Sequence, residues 1–397
     1  MKYRTRFRCF FLTLVLFNLA ANFAHPVTPT LIKNLNLHDY MFGAALAAML
    51  FTNFLLSPFW GKINTYVSSK VSMLVCCCGY GAAQVFFAVS VTEPQILAAR
   101  LFAGIFTGGV FTSFLTYVVN TSSNEDRGRH LAICATIQSV ASAFGYMIGG
   151  FLGEISVMVT FMIQAAVLSG CGILFLLICV PDVDMDLRKI SLPQLAKEAN
   201  PLNAILDGRK FMCAAFVMLF AVNVLMNIGF TSFDQAFNYY LKDVLGLTSS
   251  YNGMIKAVVG LVSFVSNMTL CIWIMNKKHV NQIVVLVILV CALGSLGAIV
   301  SVKIPLMIGF SILLYAANFV SVPLIQNLVA NQAEQGQQNL VMGFYNATKN
   351  IGGMAGSLTA GFIYSVDAKL PFLCTLAVFG AAALVMEIFA KYRKPGI

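Results

Sequence analysis

The chain has 397 residues, of which 59% are hydrophobic and 10% are charged, and its formal net charge is +10. Soluble domains carry about 25% charged residues because most of their surface faces water. This composition therefore excludes a soluble globular protein and predicts an outer surface that faces lipid.

Apolar runs long enough to cross a membrane recur along the chain, since a span needs about 20 apolar residues for a hydrocarbon core about 30 Å thick. The first run contains Pro26 and Pro29, which are expected to kink it near its outer end. None of the runs alternates as a barrel strand does, so helices are expected. The predicted spans are 9–33, 40–61, 71–91, 95–119, 130–153, 157–180, 211–240, 251–275, 281–302, 304–328, 340–365 and 370–390.

A polar stretch between the sixth and seventh predicted spans divides the chain nearly in half. The predicted fold class is an all-α integral membrane protein whose twelve transmembrane helices form two pseudo-symmetric six-helix bundles. The predicted boundaries are an N-terminal bundle at 1–181, a cytoplasmic linker at 182–210 and a C-terminal bundle at 211–397.

The basic residues predict the orientation. Of the 25 lysines and arginines, 18 fall in loops on one side and four on the other, while Arg100, Lys256 and Lys349 lie inside predicted spans. Because cytoplasmic loops collect Lys and Arg, both termini are expected in the cytoplasm of a multi-pass cell (inner) membrane protein. The positive charge then reflects topology and the surface of the lipid bilayer, and no nucleic-acid partner is expected.

The two predicted halves share a pattern that indicates an internal duplication. Gly145 and Gly149 in the fifth span recur as Gly352 and Gly356 in the eleventh. Four positions after the first span recur after the seventh at a constant offset: Leu31, Leu35, Leu37 and Gly43 as Leu241, Leu245, Leu247 and Gly253. Transporters are typically built from such repeats, with the substrate site between them.

The loop after the second span carries part of a known signature, Gly-x-x-x-Asp-Arg-x-Gly-Arg-Arg/Lys. Gly61 matches the first glycine and Lys70 matches the final cation, whereas Thr65 stands at the acidic position. This departure puts in doubt the charge-relay latch that the signature forms on the cytoplasmic side.

The fourth and fifth spans carry two further motifs. Arg100, Gly104 and Gly108 resemble an Arg-x-x-x-Gly-x-x-x-Gly signature. The fifth span resembles the glycine-rich motif of exporters, with glycine at position 150 where that motif has proline: Gly145, Gly149, Gly150 and Gly153. With these motifs the whole chain resembles the major facilitator superfamily, nearest to its twelve-span drug:proton antiporters.

The resemblance implies alternating access between two six-helix bundles, for which a monomer suffices, with protons as the coupling ion. Small residues four apart let helices approach closely, so the glycines of the fifth span, with Gly352 and Gly356, are expected either to let helices slide or to pack them statically. Pro26 and Pro29 are expected either to form a gate near the outer end of the first span or only to shape the helix.

Ionisable side chains inside a span are costly and are candidates for function. Arg100 is expected either to face a cavity, where it would bind anions or tune a carboxylate, or to be a structural arginine. Lys349 lies near mid-membrane and is expected to face a cavity, whereas Lys256 is expected at the membrane interface.

His25 and Asp234 are the predicted proton carriers. The repeat aligns Asp234 with Ala24 and Gln235 with His25, which places both carriers at a similar depth in the outer half of the membrane. Burial and neighbouring charges can tune an imidazole or a carboxylate for reversible protonation near neutral pH, and a rim position without a coupling role stays open. Hydrogen-bonding groups for a substrate are expected near the same level at Asn22, Gln235, Asn238 and Tyr239.

The leading hypothesis is a secondary active transporter that exports amphipathic or drug-like small molecules in exchange for protons. Uptake of a small organic anion or another metabolite, by symport or facilitated diffusion, stays open because the spans hold three cations against Asp234. A membrane enzyme or sensor is disfavoured, since the sequence has no Walker-type phosphate loop, no His-Glu-x-x-His pair and no nucleophile elbow. The 11 cysteines are expected to be apolar fillers, and no metal or cofactor is expected.

Overall fold

The computed structural model describes residues 3–123, 125–184, 200, 212–277, 279–333 and 338–392, which contain helices and no strand. The first series of helices is α1 (Tyr3–Ala21), α2 (Thr28–Asn34), α3 (Met41–Ile63), α4 (Ser69–Val89), α5 (Glu93–Thr121), α6 (Arg127–Ile155) and α7 (Val157–Ile178). The second series is α8 (Ala214–Asp243), α9 (Ser249–Met275), α10 (Val280–Val300), α11 (Ile304–Gln332), α12 (Gln338–Tyr364) and α13 (Leu370–Tyr392). The predicted linker at 182–210 lies outside the described residues except for 182–184 and 200, so its limits stay a prediction.

Ten helices in the described part of the chain are long and apolar enough to cross a membrane, namely α3 to α11 and α13. The two other long helices are more polar: α1 begins with Arg4, Arg6 and Arg8, and α12 contains Lys349. The prediction of an all-α, multi-pass membrane protein is therefore confirmed, and the count of twelve spans stays a prediction.

The predicted first span at 9–33 is not one helix, because tight turns at 22–27 separate α1 from α2. Pro26 has no N–H group, so it cannot donate to the Asn22 carbonyl and the α-helical ladder stops there. Pro29 lies in the first turn of α2, where a missing donor leaves no helical bond unmade. The chain is thus broken at Pro26 rather than kinked, and Pro29 fits the start of the second helix.

Because α1 ends here, its last carbonyl group accepts hydrogen bonds from side chains of other helices. The Ala21 oxygen accepts hydrogen bonds from Gln164 Nε2 at 3.2 Å and from Tyr80 Oη at 3.4 Å. Buried carbonyl groups in a membrane must find a donor within the protein. The end of α1 is therefore held by α4 and α7.

Packing divides the chain into two compact units. Unit 1 comprises Met1–Leu37, Ala48–Pro201 and Leu241–Gly260, and unit 2 comprises His38–Ala47, Leu202–Tyr240 and Leu261–Ile397. These units differ from the predicted bundles in two segments: His38–Ala47, which leads into α3, and Leu241–Gly260, which runs from the end of α8 into α9. In unit 2 the Ser357 hydroxyl of α12 donates to the Gly43 carbonyl at 2.8 Å, and in unit 1 Gly253 lies against the backbone of Tyr146 and Met147 on α6.

Cysteines fill gaps in the aromatic core of unit 1. Cys76, Cys77 and Cys171 are buried among side chains such as Phe114 and Phe175. All 11 cysteines of the chain are free thiols. Within the described ranges no group of three His, Cys, Asp or Glu side chains could hold a metal ion.

The glycines of the predicted repeat occupy equivalent helix contacts in the two units. A β-carbon at Gly145 would collide with the Leu19 carbonyl oxygen, so α6 touches the backbone of α1 in unit 1. A β-carbon at Gly352 would collide with the Val224 carbonyl oxygen, so α12 touches the backbone of α8 in unit 2. This equivalence supports the internal duplication that the sequence pattern indicates.

An asparagine pair marks the same contact in each unit. Gly145 lies against Asn22, whose amide donates to the Asn18 carbonyl at 2.8 Å. Gly352 lies against Asn227, whose amide donates to the Asn223 carbonyl, also at 2.8 Å. An Asn-x-x-x-Asn element is therefore repeated at the end of α1 and within α8.

Alignment on these asparagines corrects the match between the two halves. It places His25 opposite Phe230, not opposite Gln235, and it places Pro29 opposite Asp234. The match based on the following loops was shifted because α1 breaks at 22–27 while α8 continues without interruption. The repeat therefore gives no support for a common depth of His25 and Asp234.

Candidate functional site

The predicted site residues divide between the two units. Asn22, His25 and Arg100 belong to unit 1. The others belong to unit 2 and lie on α8 and α12: Asp234, Gln235, Asn238, Tyr239 and Lys349.

His25 lies in a cluster of polar and aromatic groups within unit 1. Its imidazole stacks on the Tyr146 ring of α6, with ring centroids 5.2 Å apart and planes 9° apart. The Lys256 ammonium of α9 lies 5.5 Å from the centroid of the same ring. Nearby, Asn22 Nδ2 donates to Ser142 Oγ at 3.0 Å. The break in α1 therefore places an imidazole beside a cation–π pair.

Lys256 adds a residue to the cluster. It is only 6% exposed, and its expected position at the membrane interface stays a prediction. Its burial follows from packing on Tyr146, a residue of another helix, which position within α9 alone does not reveal. The signal in the sequence was the charge itself, since a lysine inside an apolar run is a functional candidate.

Arg100 is a buried cation, with 5% of its surface exposed. The guanidinium carbon lies 3.7 Å from the centroid of the Phe87 ring, and Nη2 lies 3.4 Å from Thr28 Oγ1 at the start of α2. No carboxylate pairs with it in the described ranges, so the expected tuning of a neighbouring acid is not supported there. Its contacts hold α2 and α4 on α5, which favours the structural alternative.

Asp234 is the predicted site residue with the best-defined contacts. Tyr315 Oη of α11 donates to one carboxylate oxygen at 2.8 Å, and Gln235 Nε2 lies 3.4 Å from the other. The rings of Phe230 and Phe233 contact Tyr315 edge-on, each with centroids 5.8 Å away. The carboxylate therefore lies at the edge of an aromatic cluster in unit 2.

Tyr239 and Asn238 are buried, and their role in substrate binding stays a prediction. The Tyr239 hydroxyl donates to Asp39 Oδ1 at 2.6 Å, and its ring stacks on Phe42 at 4.6 Å. Tyr239 thus fastens α8 to the start of α3 within unit 2. Sequence analysis missed Asp39 because it precedes its helix and so was assigned to a loop.

Lys349, which was expected to face a cavity, is exposed on α12. The preceding residue, Thr348, is buried and accepts a hydrogen bond from Asn223 Nδ2 at 3.0 Å. An ammonium group at this depth is costly in lipid. The prediction of a cavity role stays a prediction.

Most glycines of the recognised motifs lie against neighbouring backbones. Gly61 is the exception, since a β-carbon there would meet only Thr112 Cγ2 at 3.6 Å, which is an ordinary contact. Lys70, the last residue of the same signature, lies in the first turn of α4. The other motif glycines contact α3, the turn after α1, α8 or the start of α9: Gly104, Gly108, Gly149, Gly356, Gly150 and Gly153.

Asp182 ties together the segment where the family signature departs from its pattern. Its carboxylate accepts hydrogen bonds from the Ser69 backbone N–H at 2.8 Å, from Ser68 Oγ at 2.7 Å, from Ser69 Oγ at 2.6 Å and from Asn120 Nδ2 at 3.1 Å. A carboxylate is favourable at the N-terminus of a helix, here α4. With Thr65 in place of the usual acid, Asp182 joins the start of α4 to the end of α5.

Replacing Asp182 with alanine is expected to destabilise the protein by about 1–3 kcal/mol, because buried donors lose a charged acceptor. The thermal unfolding temperature of the purified protein in detergent measures the effect. Asp184→Ala is the matched control, since Asp184 is exposed two residues away. Equal unfolding temperatures for the two variants would contradict a clamping role.

Comparison with known proteins places these features in a family context. The sequence profile described as Major Facilitator Superfamily matches residues 10–357. The chain is 21% identical over 360 residues to Multidrug resistance protein 1 of Bacillus subtilis (strain 168), covering 87% of this chain and 86% of the relative. It is 21% identical over 381 residues to Quinolone resistance protein NorA of Staphylococcus aureus (strain MSSA476), covering 93% and 92%.

Solved transporter structures share the fold at low sequence identity. The nucleoside transporter NupG gives a TM-score of 0.73 at 12% identity, covering 99% of this chain and 100% of NupG. An inward-facing bacterial homologue of the human lysosomal transporter Spinster gives 0.77 at 12% identity, covering 99% of both chains. The human organic anion transporter MFSD10 gives 0.66 at 18% identity, covering 97% and 100%. These likenesses confirm the predicted fold class except for its count of twelve helices, which stays a prediction.

Proposed function

The chain belongs to the Major Facilitator Superfamily, a family of transporters rather than enzymes, and on that premise we propose that it exports amphipathic or drug-like compounds in exchange for protons. It is a multi-pass membrane protein that acts on small molecules. The proposed location is the cell (inner) membrane, with both termini in the cytoplasm, as the distribution of loop lysines and arginines predicts.

The environment of Asp234 is the observation that carries this proposal. Asp234 lies about two and a half turns before the end of α8. The other carboxylates in the described apolar helices lie nearer to a helix end: Glu93, Glu154, Asp243 and Glu387. An acid this deep in a spanning helix is a candidate for a proton or substrate pathway.

The contacts of Asp234 suit an exchange mechanism. A carboxylate beside aromatic rings such as Phe230 attracts a lipophilic cation, by charge at the carboxylate and by cation–π contact at the ring. The same carboxylate can bind a proton, but it cannot hold a proton and a cation at once. Competition between them would make release of the compound depend on proton entry, which is the requirement for antiport.

The bacterial relatives support export of drug-like compounds, since both are named for resistance to such compounds. Their identity to this chain is 21%, so the compounds that they handle are not transferred to it. His25, stacked on Tyr146 in unit 1, is the second candidate for a proton-binding group.

Organic anion uptake is the second candidate function. Three cations inside the helices favour it: Arg100, Lys256 and Lys349. Two of them, Arg100 and Lys256, already contact an aromatic ring in unit 1, which leaves Lys349 as the cation best placed to meet an anion. The fold likeness to a protein described as an organic anion transporter is compatible with this alternative.

Purified protein in liposomes distinguishes the two candidates. A lipophilic cationic dye should accumulate in vesicles whose lumen is acidic, because protons leaving the vesicle drive the dye inward by exchange. A protonophore should abolish this accumulation, and protein-free liposomes under the same gradient give the background. Accumulation of a labelled organic anion with the acidic side outside, and no dye accumulation, would replace the export proposal with anion uptake.

A further inference from the structure

A cavity of about 400 Å³ opens between the first turns of α1 and α6 in unit 1. Arg4 and Arg8, one turn apart on α1, line one wall, and Arg129 lines the other. The proposed function does not use this cavity, since its proton-binding candidates are Asp234 on α8 and His25 in the turn after α1. Its volume lies within the range of pockets that bind small ligands, about 300–1,000 Å³.

The cavity is strongly cationic. The guanidinium groups of Arg4, Arg8 and Arg129 form no hydrogen bond or ion pair with any residue that the structure describes. The one acid on its wall, Asp126, accepts a hydrogen bond from Ser123 Oγ at 3.1 Å. The N-terminus of α6 adds the positive end of a helix dipole. Three arginines therefore face one carboxylate.

Aromatic packing between α1 and α6 forms the floor of the cavity. The Phe7 ring stacks on the His130 imidazole, with centroids 4.1 Å apart. His130 Nδ1 is hydrogen-bonded to Ser122 Oγ at 2.8 Å, and Phe11 contacts the imidazole at 5.5 Å. The wall that carries Arg129 is thus held at a fixed distance from the wall that carries Arg4 and Arg8.

The cavity changes character with depth. Phe11 and Ile133 lie at its inner end, about 10 Å along α1 from Arg4. Below it, the outer surface of α1 is apolar, with Leu12 66% exposed and Leu16 46% exposed. Cations at the membrane surface and apolar side chains toward the membrane core match a phospholipid, whose charged headgroup continues into acyl chains. A free phosphate ion would make no favourable contact with the apolar end of the cavity.

We propose that this cavity, here the Arg4–Arg8–Arg129 pocket, binds the phosphate headgroup of an anionic phospholipid. Planar guanidinium groups bind phosphate oxygens in pairs of hydrogen bonds, which an ammonium group cannot reproduce. Basic pockets between transmembrane helices on the cytoplasmic side are suited to anionic headgroups. The pocket lies on the side that the loop charges predict to be cytoplasmic, where the lipid holds α1 against α6.

Native mass spectrometry of the full chain in detergent tests the proposal, with phosphatidylglycerol and phosphatidylcholine as the added lipids. The wild type should retain phosphatidylglycerol in preference to phosphatidylcholine. The triple variant R4Q/R8Q/R129Q should bind phosphatidylglycerol about tenfold more weakly, a loss of about 1.4 kcal/mol. The variant K62Q/K277Q/K391Q removes the same charge from residues outside the pocket and should bind as the wild type does.

Two further arms keep the test decisive. R4K/R8K/R129K preserves charge and guards against misfolding, and it should still lose most of the preference because the paired hydrogen bonds are lost. Inorganic phosphate is titrated as the second probe. If it binds the pocket as tightly as phosphatidylglycerol does, the pocket is a site for a soluble phosphate and the lipid proposal is overturned. Equal weakening in the K62Q/K277Q/K391Q control would also overturn the proposal, since general surface charge would then explain lipid retention.

Discussion

Asp234→Asn is expected to abolish proton-driven accumulation of the transported compound while the protein stays folded. A pH difference of one unit supplies about 1.4 kcal/mol for each coupled proton, enough for about tenfold accumulation. The wild type should approach this ratio in liposomes, and the variant should remain near a ratio of one. Asparagine keeps an oxygen to accept the Tyr315 hydrogen bond, but it cannot bind the proton.

Dye accumulation in proteoliposomes under an imposed pH gradient measures this effect. Asp367→Asn is the matched control: Asp367 lies between α12 and α13, is exposed, and accepts a hydrogen bond from the Lys369 backbone N–H at 2.8 Å. Proteoliposomes with the Asp367→Asn variant should accumulate dye as those with the wild type do. Coupling that survives in Asp234→Asn would exclude Asp234 as the carrier and would direct the same measurement to His25→Gln.

Downhill dye movement adds a second readout for the same variant. If the carboxylate binds both the proton and the cationic compound, Asp234→Asn should also slow dye exchange when no gradient is imposed. If exchange continues at the wild-type rate while gradient-driven accumulation is lost, Asp234 binds only the proton. The aromatic cluster around Tyr315 would then be the better candidate for holding the dye.

The helical architecture was accessible from sequence because it follows from two local quantities. Apolar runs of span length and loop charge do not depend on which helices touch, so ten of the predicted spans recur as apolar helices. The error at the first span has a cause that is only partly local. Pro26 removes one donor, but whether that kinks or ends the helix depends on Gln164 and Tyr80, which supply donors to the exposed Ala21 carbonyl from distant helices.

The candidate site was less accessible, because its chemistry depends on contacts between helices. Asp234 was found from its charge alone, whereas its partner Tyr315 lies 81 residues later in an apolar run that contains other aromatic residues. Tyr239 carried the same polar signal as Gln235, yet it is buried against Asp39. A polar residue in a span signals a partner, and the sequence alone does not distinguish a protein partner from a substrate.

The signature loop after α3 also shows that a partner from a distant segment is not visible in a local motif. Thr65 in the acidic position suggested that the latch on that side was weakened. The Asp182 carboxylate supplies acid to the same region from 113 residues away, through Ser69. The acid of the signature is one way to supply a carboxylate to this region. Here the carboxylate of Asp182, from another segment, binds the start of α4 instead.

Gly149→Ala is expected to lower the unfolding temperature substantially, with a cost of about 1–3 kcal/mol from overpacking. A β-carbon at this position would overlap the backbone of Phe23, which is part of the turn after α1 and cannot rotate away as a side chain would. Gly356→Ala should behave alike, because its β-carbon would overlap the backbone of Ile228 on α8. Gly170→Ala on α7 is the matched control, since nothing lies within 4 Å of its β-carbon.

The same variants separate the two roles that remain for these glycines, static packing and sliding. Thermal unfolding in detergent and dye transport in liposomes are measured on each purified variant. Static packing predicts that Gly149→Ala loses stability and transport together, and that a lower assay temperature restores transport. Sliding predicts that transport stays low at every temperature at which the variant is folded, because the alanine methyl group obstructs movement of α6 on α1. Gly170→Ala should match the wild type in both measurements, and a transport defect there would mean that neither role is specific to the glycine contacts.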